Sequence, residues 1–465
     1  MAGTVDERPA HLTPEERAAR GREARATVRR ADLGEYAPAK GRRDPVAILE
    51  EQGVARQQDL LPIRYGRMSA SPFTFLRGSA AVMAADLAAS PATGLRVQAI
   101  GDAHLSNFGI FATPERKLVF DVNDFDETLP APWEWDVKRL VASVVVAAED
   151  NGADRATATA AARRTAAAYR ASMQRFATDK TLDLWYAHLD VDDYVRTKTP
   201  KSVRAQREKQ LQKARTRTSS HVVGKLTEVV DGQLRFKDQS PIVTPLRDLF
   251  RPDEADVIRD RLRRGFEGYH KSLAPERRLL LDSFRVVDVA RKVVGVGSVG
   301  TRCLIALFLG RSDDDHLVLQ FKEATASVLE PYAGPSRYRH HGARVVHGQR
   351  LVQVASDVFL GWCSLRPEDK HYYWRQLKDM KASIELGLLD AKGFDRYVDT
   401  CAWCLARAHA RSGDPIAIAA YLGNGTAFEK AMAGFGAAYA DQTKQDWEAL
   451  TAAIADGRVE ALAGV

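Results

Sequence analysis

Apolar and polar positions change period several times along the chain, and each change predicts an element. Residues 79–89 are Ala-rich and read as a helix. Short apolar runs at 95–100 and 117–122 predict two strands, each followed by a polar loop. This strand–loop–strand–loop order would let a hairpin aim two sets of side chains at one point. Helical spacing and high alanine content return at 133–148 and 153–176. The stretch 180–250 is mixed and polar and reads as an insertion, and 253–273 predicts a charged helix. β-forming residues then dominate three runs, 284–294, 301–309 and 316–322. A helix is expected over 342–356, a strand over 372–380 and a helix over 394–411. The last stops at Ser412-Gly413-Asp414-Pro415, and 416–465 is again helical in pattern. Residues 1–60 read as a charged helical arm with a loop at 36–45 and carry no visible chemistry.

Composition narrows the class. The 465 residues are 45% hydrophobic and 28% charged, ordinary for a globular chain with a sizeable core. No apolar run approaches the roughly 20 residues of a membrane span, and the N-terminus lacks the apolar segment of a signal peptide. Four cysteines in so long a chain make no disulfide framework, so a reducing cytoplasm is expected. Cys401 and Cys404, at helix spacing, read as two buried thiols rather than zinc ligands. The net charge of +7 suits anionic partners. Part of it lies in one run from Arg196 to Arg217, interrupted only by Glu208. That run reads first as a solvated helix face beside a loop, and second as a docking patch for a phosphate-bearing substrate. It lacks interleaved aromatics, which argues against stacking on single-stranded nucleic acid.

The chemistry concentrates in two loops. The first, Gly101-Asp102-Ala103-His104-Leu105-Ser106-Asn107, holds an Asp and an Asn five apart. Phosphoryl transfer needs a carboxylate near the attacking hydroxyl and oxygen ligands for magnesium. Asp102 and Asn107 on one tight loop can supply both. The second, Asn123-Asp124-Phe125-Asp126-Glu127, offers Asp124 as a metal ligand, with Asp126 in reserve. A calcium loop is the other reading of clustered acids, but its glycine and terminal glutamate spacing are missing.

Almost two hundred residues later comes Gly295-Val296-Gly297-Ser298-Val299-Gly300. Dinucleotide folds follow such glycines with a helix. Here β-forming residues follow, then a polar turn and a third run ending at Lys322. A phosphate-covering loop between two strands, with the lysine on a third strand, fits that order. Gly295, Gly297, Ser298 and Gly300 would then let the backbone approach phosphates. Lys322 would contact them, and Glu330, at the start of the next helix, is the carboxylate expected to hold it.

These motifs resemble the kinase-like superfamily, with the catalytic and metal loops ahead of the glycine loop and lysine. The resemblance implies an α+β, two-lobed protein-kinase-like fold, circularly permuted, with a helical C-lobe and a small antiparallel β N-lobe. His104, two after the aspartate, is similar to the aminoglycoside and choline phosphotransferase branch. Trp135-Asp136-Val137 resembles the helix start whose aspartate buttresses the catalytic loop. The segment 404–413 resembles the helix that ordinarily runs into that loop. Residues 64–439 also resemble the bacterial domain-of-unknown-function family 2252, through Phe75-Leu76-Arg77-Gly78, 101–109, 123–127, Lys322-Glu323-Ala324, 355–362 and 408–414. The expected organisation is an arm (1–60), a C-lobe portion (61–283), a nucleotide-binding β lobe (284–365) and a C-lobe completion (366–465).

The expected function is ATP- and magnesium-dependent phosphoryl transfer to a hydroxyl, with a small molecule or protein as acceptor. Asp102, Asn107 and Asp124 would be catalytic; Asn107, Asp124 and Asp126 would face the metal. Three alternatives stand beside it. A pseudokinase would bind nucleotide without turnover. A nucleotidyltransferase would use the same site and leave AMP on its target. A nucleic-acid-binding protein using the basic run would bind with strong salt dependence and indifference to ATP.

Overall fold

The computed structural model describes residues 12–199, 201–216, 219–377 and 380–464. It is an α+β structure whose sheets are antiparallel. Its helical part forms around Trp133–Asp150, which is buried along almost its whole length, with four buried charged residues (Glu134, Asp136, Lys138 and Arg139) in its first two turns and an apolar run after them. Arg155–Phe176, Ala391–Ser412 and Ala427–Ala455 pack around it. Side-chain caps start two neighbouring helices: Asp154 accepts from the Thr157 amide and Asp390 from the Gly393 amide. Among the described residues no helix is long and apolar enough to cross a membrane.

The β part is a six-stranded sheet. Its order is Gly361–Leu365, Lys370–Gln376, His316–Ala324, Cys303–Leu309, Arg285–Lys292 and Val243–Pro245. Strand alternation divides its faces. One face carries Leu317, Leu319, Phe321 and Trp374 and packs on the helix Ala255–Ser272. There Trp374 stacks on Phe321 and Tyr269, with ring centroids 4.2 and 4.5 Å apart. The other face is apolar at one end, where Leu307, Val318 and Leu377 meet Val222 and Val223. At its other end the same register sets Gln320 opposite Arg375 and Lys322 opposite Tyr373. That polar end faces the cleft.

Three expectations change. The β part is not confined to 284–365. It takes Val243–Pro245 from the expected insertion, and the expected boundary at 365 falls between two paired strands, Gly361–Leu365 and Lys370–Gln376. The two chemistry-bearing loops do not come from one hairpin either. Arg96–Ala99 pairs with Leu129–Pro132, whereas Leu118–Val122 pairs with Phe108–Ala112. Two small sheets therefore converge, and the Asn123 amide donates to the Asn107 carbonyl at 2.8 Å to join the loops. The basic run is partly neutralised locally, since Arg196 pairs with Asp193 and Arg215 with Asp192. Arg217, and the side chains of Lys201 and Arg207, lie outside the described residues. All four cysteines are free and buried, which leaves Cys401 and Cys404 as core thiols.

Candidate functional site

The Asp102 loop is held from below by Asp136. This buried carboxylate, in the first turn of Trp133–Asp150, accepts from the amides of Ile100 (2.6 Å) and Gly101 (2.9 Å). His409 Nε2 contacts the same carboxylate at 3.1 Å, and its Nδ1 meets the Tyr169 hydroxyl at 2.8 Å. Gly101 has φ +82°, and a Cβ there would lie 2.5 Å from the Glu127 carbonyl oxygen. Only glycine fits so close an approach. The Asn107 amide nitrogen donates to the Asp102 carbonyl at 2.8 Å, which leaves its oxygen for the cleft.

Arg139 grips the Asp102 carboxylate at 2.7 Å. Burial raises the Asp102 carboxyl above its ordinary value, against the pull of Arg139 and Arg77. Burial, together with the same two arginines, holds His104 far below its usual range, so its imidazole is neutral. It lies 3.6 Å from Asp102 without forming an ion pair.

The aspartate loop is fastened by Arg344, on the helix His341–Val352. Its guanidinium donates to the carbonyls of Asp126 (2.7 Å), Thr325 (2.8 Å) and Thr128 (2.8 Å). Burial and the neighbouring Asp126 push Asp124 up. Burial works the same way on Asp126, but the Lys322 ammonium outweighs it and holds that carboxyl low. Glu127, buried and facing Arg344, rises to about 7.

Lys322 bonds to Asp126 and to the Ser298 hydroxyl. Tyr373 donates to the other Asp126 oxygen at 2.8 Å. Burial opposes the Lys322 charge, yet Asp126, Tyr373 and Asp124 together keep it well above its ordinary value. One expectation is corrected here. Glu330 does not hold Lys322; it caps Ser327 and lies 3.9 Å from Arg344, because the turn after Ala324 carries it behind the aspartate loop. Asp126, the reserve metal ligand, carries Lys322 on one oxygen and Tyr373 on the other.

The glycine loop makes one 3-10 turn, Val296–Ser298, between its two strands. Arginines from the N-terminal segment take its carbonyls. Arg64 donates to Gly297 (2.9 Å), Arg67 to Val294 (2.6 Å) and Arg56 to Val299 (2.5 Å). Gly300, at φ +86°, would press a Cβ to 3.0 Å from the Arg56 side chain. Of the three arginines only Arg56 belongs to the expected arm, 1–60, which thus brings one cation to the site, contrary to the expectation that it carries no chemistry.

Asp102, Asn107, Asp124, Asp126, Gly295, Gly297, Ser298 and Lys322 line one cavity of about 150 Å³. Glu330 and Gly300 lie outside its lining. Arg56, Arg64, Arg77 and Arg375 join it, and of these only Arg77 falls in a stretch the sequence singled out, Phe75-Leu76-Arg77-Gly78. Arg375 was legible by alternation, two positions from Tyr373 on the Lys322 face. The arginine-rich text between 56 and 77 was the only local signal for Arg56 and Arg64. Five cations (Arg56, Arg64, Arg77, Lys322 and Arg375) face four carboxylates (Asp102, Asp124, Asp126 and Glu127) around this small space. Such a mixture suits a phosphate-sized anion that brings a metal ion with it; pockets for whole small molecules run from about 300 Å³ upwards. For a metal, the Asn107 amide oxygen and Asp124 are the two oxygen donors. Among the described residues no cluster of three His, Cys, Asp or Glu side chains is arranged to hold an ion. Two oxygen donors fit magnesium shared with phosphate oxygens, since that ion often takes only one or two carboxylates from a protein.

No curated protein and no solved structure matches the chain. One family model does, over residues 56–453, a span that takes in every element of the site. The chain belongs to the family DUF2252, described as "Uncharacterized protein conserved in bacteria".

Proposed function

We propose that the chain is an ATP- and magnesium-dependent phosphotransferase of permuted kinase-like fold, acting on a hydroxyl acceptor. One observation carries the reading: four motifs, the outer two about two hundred residues apart in sequence, line a single cavity of mixed cations and carboxylates. An ATP site depends on convergence in space and not on order along the chain. A second observation supports the permuted order. The end of Ala391–Ser412 abuts the strand that leads into the Asp102 loop, where the Gln98 amide donates to Ser412 Oγ at 3.1 Å.

In this reading Lys322, Arg56 and Arg375 bind and neutralise the phosphates. Asp102, kept in place by Arg139, orients the acceptor hydroxyl and takes its proton. Magnesium, when bound between Asn107 and Asp124, would neutralise charge on the phosphate oxygens. Nucleotide entry must part Lys322 from Asp126, since the enclosed space is too small for the whole molecule.

That same closure favours a second reading, a nucleotide binder without turnover. Calorimetric titration of ATP with and without magnesium, on the wild type and on Asp124→Asn, tests the site. Magnesium-dependent binding that weakens in the variant supports it; binding indifferent to both overturns it. Product analysis separates the readings: ADP marks a kinase, AMP on the target a nucleotidyltransferase, and no product a pseudokinase.

A further inference from the structure

We propose that a second cavity, on the far side of Arg77, is the acceptor site, and that it takes a non-anionic hydroxyl compound with an apolar face. The inference rests on the phosphotransferase reading. This cavity encloses about 490 Å³, within the range of small-molecule sites. Ser106, the neighbour of Asn107, lines it, so the Asp102 loop borders both cavities. Arg77 lines both. Its Nε is buried without a hydrogen-bond partner, and its charge faces Asp102. A cation so placed meets a phosphoryl group as it crosses.

The lining of the second cavity differs from that of the first. Phe73, Ile384 and Leu386 give it an apolar side. Its acids, Asp150 and Glu385, are exposed and therefore sit at the outer rim. Arg77, half-buried, is at the inner end. The rim repels carboxylates and phosphates and tolerates an amine, while the inner end favours the group being transferred. In the step itself, the acceptor oxygen bonds to the terminal phosphorus as the bond from that phosphorus to the bridging oxygen breaks. The hydroxyl proton passes to Asp102, and the electron pair leaves with ADP.

Three matched probes test the site on the full chain by ligand-observed NMR: 1-phenylethanol, 2-amino-1-phenylethanol and mandelate. The amine and the neutral alcohol should bind and mandelate should not. Glu385→Lys should weaken the amine by about two- to fivefold, as expected for an exposed charge pair. Gly387→Trp should abolish binding of both, because the added ring enters the cavity; a Cβ there meets only an ordinary contact at 3.7 Å, so the fold tolerates it. Equal binding of all three probes, or binding unmoved by Gly387→Trp, overturns the proposal. ATP titration of the same variants separates the two ideas. ATP binding without probe binding sinks the acceptor site alone, whereas probe binding without ATP binding sinks the phosphotransferase reading and leaves the cavity as a ligand site.

Discussion

The Asp102 loop and the glycine loop face the same cavity but are fastened by opposite charges. Asp136 accepts from two amides of the first. Three arginines donate to carbonyls of the second. The difference follows from what surrounds each loop. The first rests on a helical core, where one carboxylate near a helix N-terminus is stabilised by the helix dipole and by donated N–H groups. The second joins two strands of the six-stranded sheet, where long guanidinium stems from residues 56–67 reach across and bind carbonyl oxygens. Fastening by amides spends the Ile100 and Gly101 N–H groups on Asp136, whereas in the glycine loop the Ser298 and Val299 N–H groups are spent on the loop's own carbonyls. Under the proposed function, the glycine loop with Lys322 would meet phosphate and the Asp102 loop the acceptor hydroxyl.

The strongest way to break this comparison is Asp136→Ala. Two buried amides and His409 lose their acceptor, and stability should fall by about 3–5 kcal/mol in chemical denaturation. A loss under about 1 kcal/mol would mean that the carboxylate does not brace the loop. Next comes Glu127, between the two loops. Its carboxyl rises from 4.5 to about 7 in the fold. Between those values the folded state holds a proton that the unfolded chain has released, so stability falls as pH rises through that window. Relative to Glu127→Gln, the wild type should lose about 3 kcal/mol between pH 4.5 and 7. Parallel pH profiles for the two proteins would contradict this.

Arg64→Ala sharpens the other side. It removes two carbonyl bonds but also a buried charge whose burial is costly, so the net loss should be about 2 kcal/mol. Hydrogen exchange should quicken over 294–300 and stay unchanged over 100–107; equal effects on both loops would erase the distinction. The smallest effect on stability belongs to Lys322→Met with Asp126→Asn. Replacing both partners of a buried pair is often neutral or slightly stabilising. ATP binding should nonetheless fall at least tenfold in calorimetry, and retained affinity would remove Lys322 from the site.

Much of this site was legible from spacing. Asp102 with Asn107, the Asp124–Glu127 cluster, the three glycines and Lys322 each announce themselves within a few residues. Asp136 was legible as a buttress. The partner of Lys322 was not. Glu330 was the acid at the start of the next helix, at a spacing shorter than kinases usually show, but a turn carries it away, and Asp126, 196 residues earlier, takes its place. Arg64 reaches Gly297 across 233 residues, and Arg344 reaches Asp126 across 218. Alternation along Lys370–Gln376 would have pointed to Arg375 once its strand was paired with that of Lys322.

By itself, the chain's text determined the chemical content of each loop, the elements around it and the β-character of the lysine-bearing segment. Those properties depend on neighbours a few residues apart, through backbone sterics, capping and side-chain period. Tertiary structure decided which carboxylate meets the lysine, which arginines hold which carbonyls and which strands complete the six-stranded sheet. Such pairings are set by packing of distant surfaces, and a buried charge takes whichever partner the fold brings within reach.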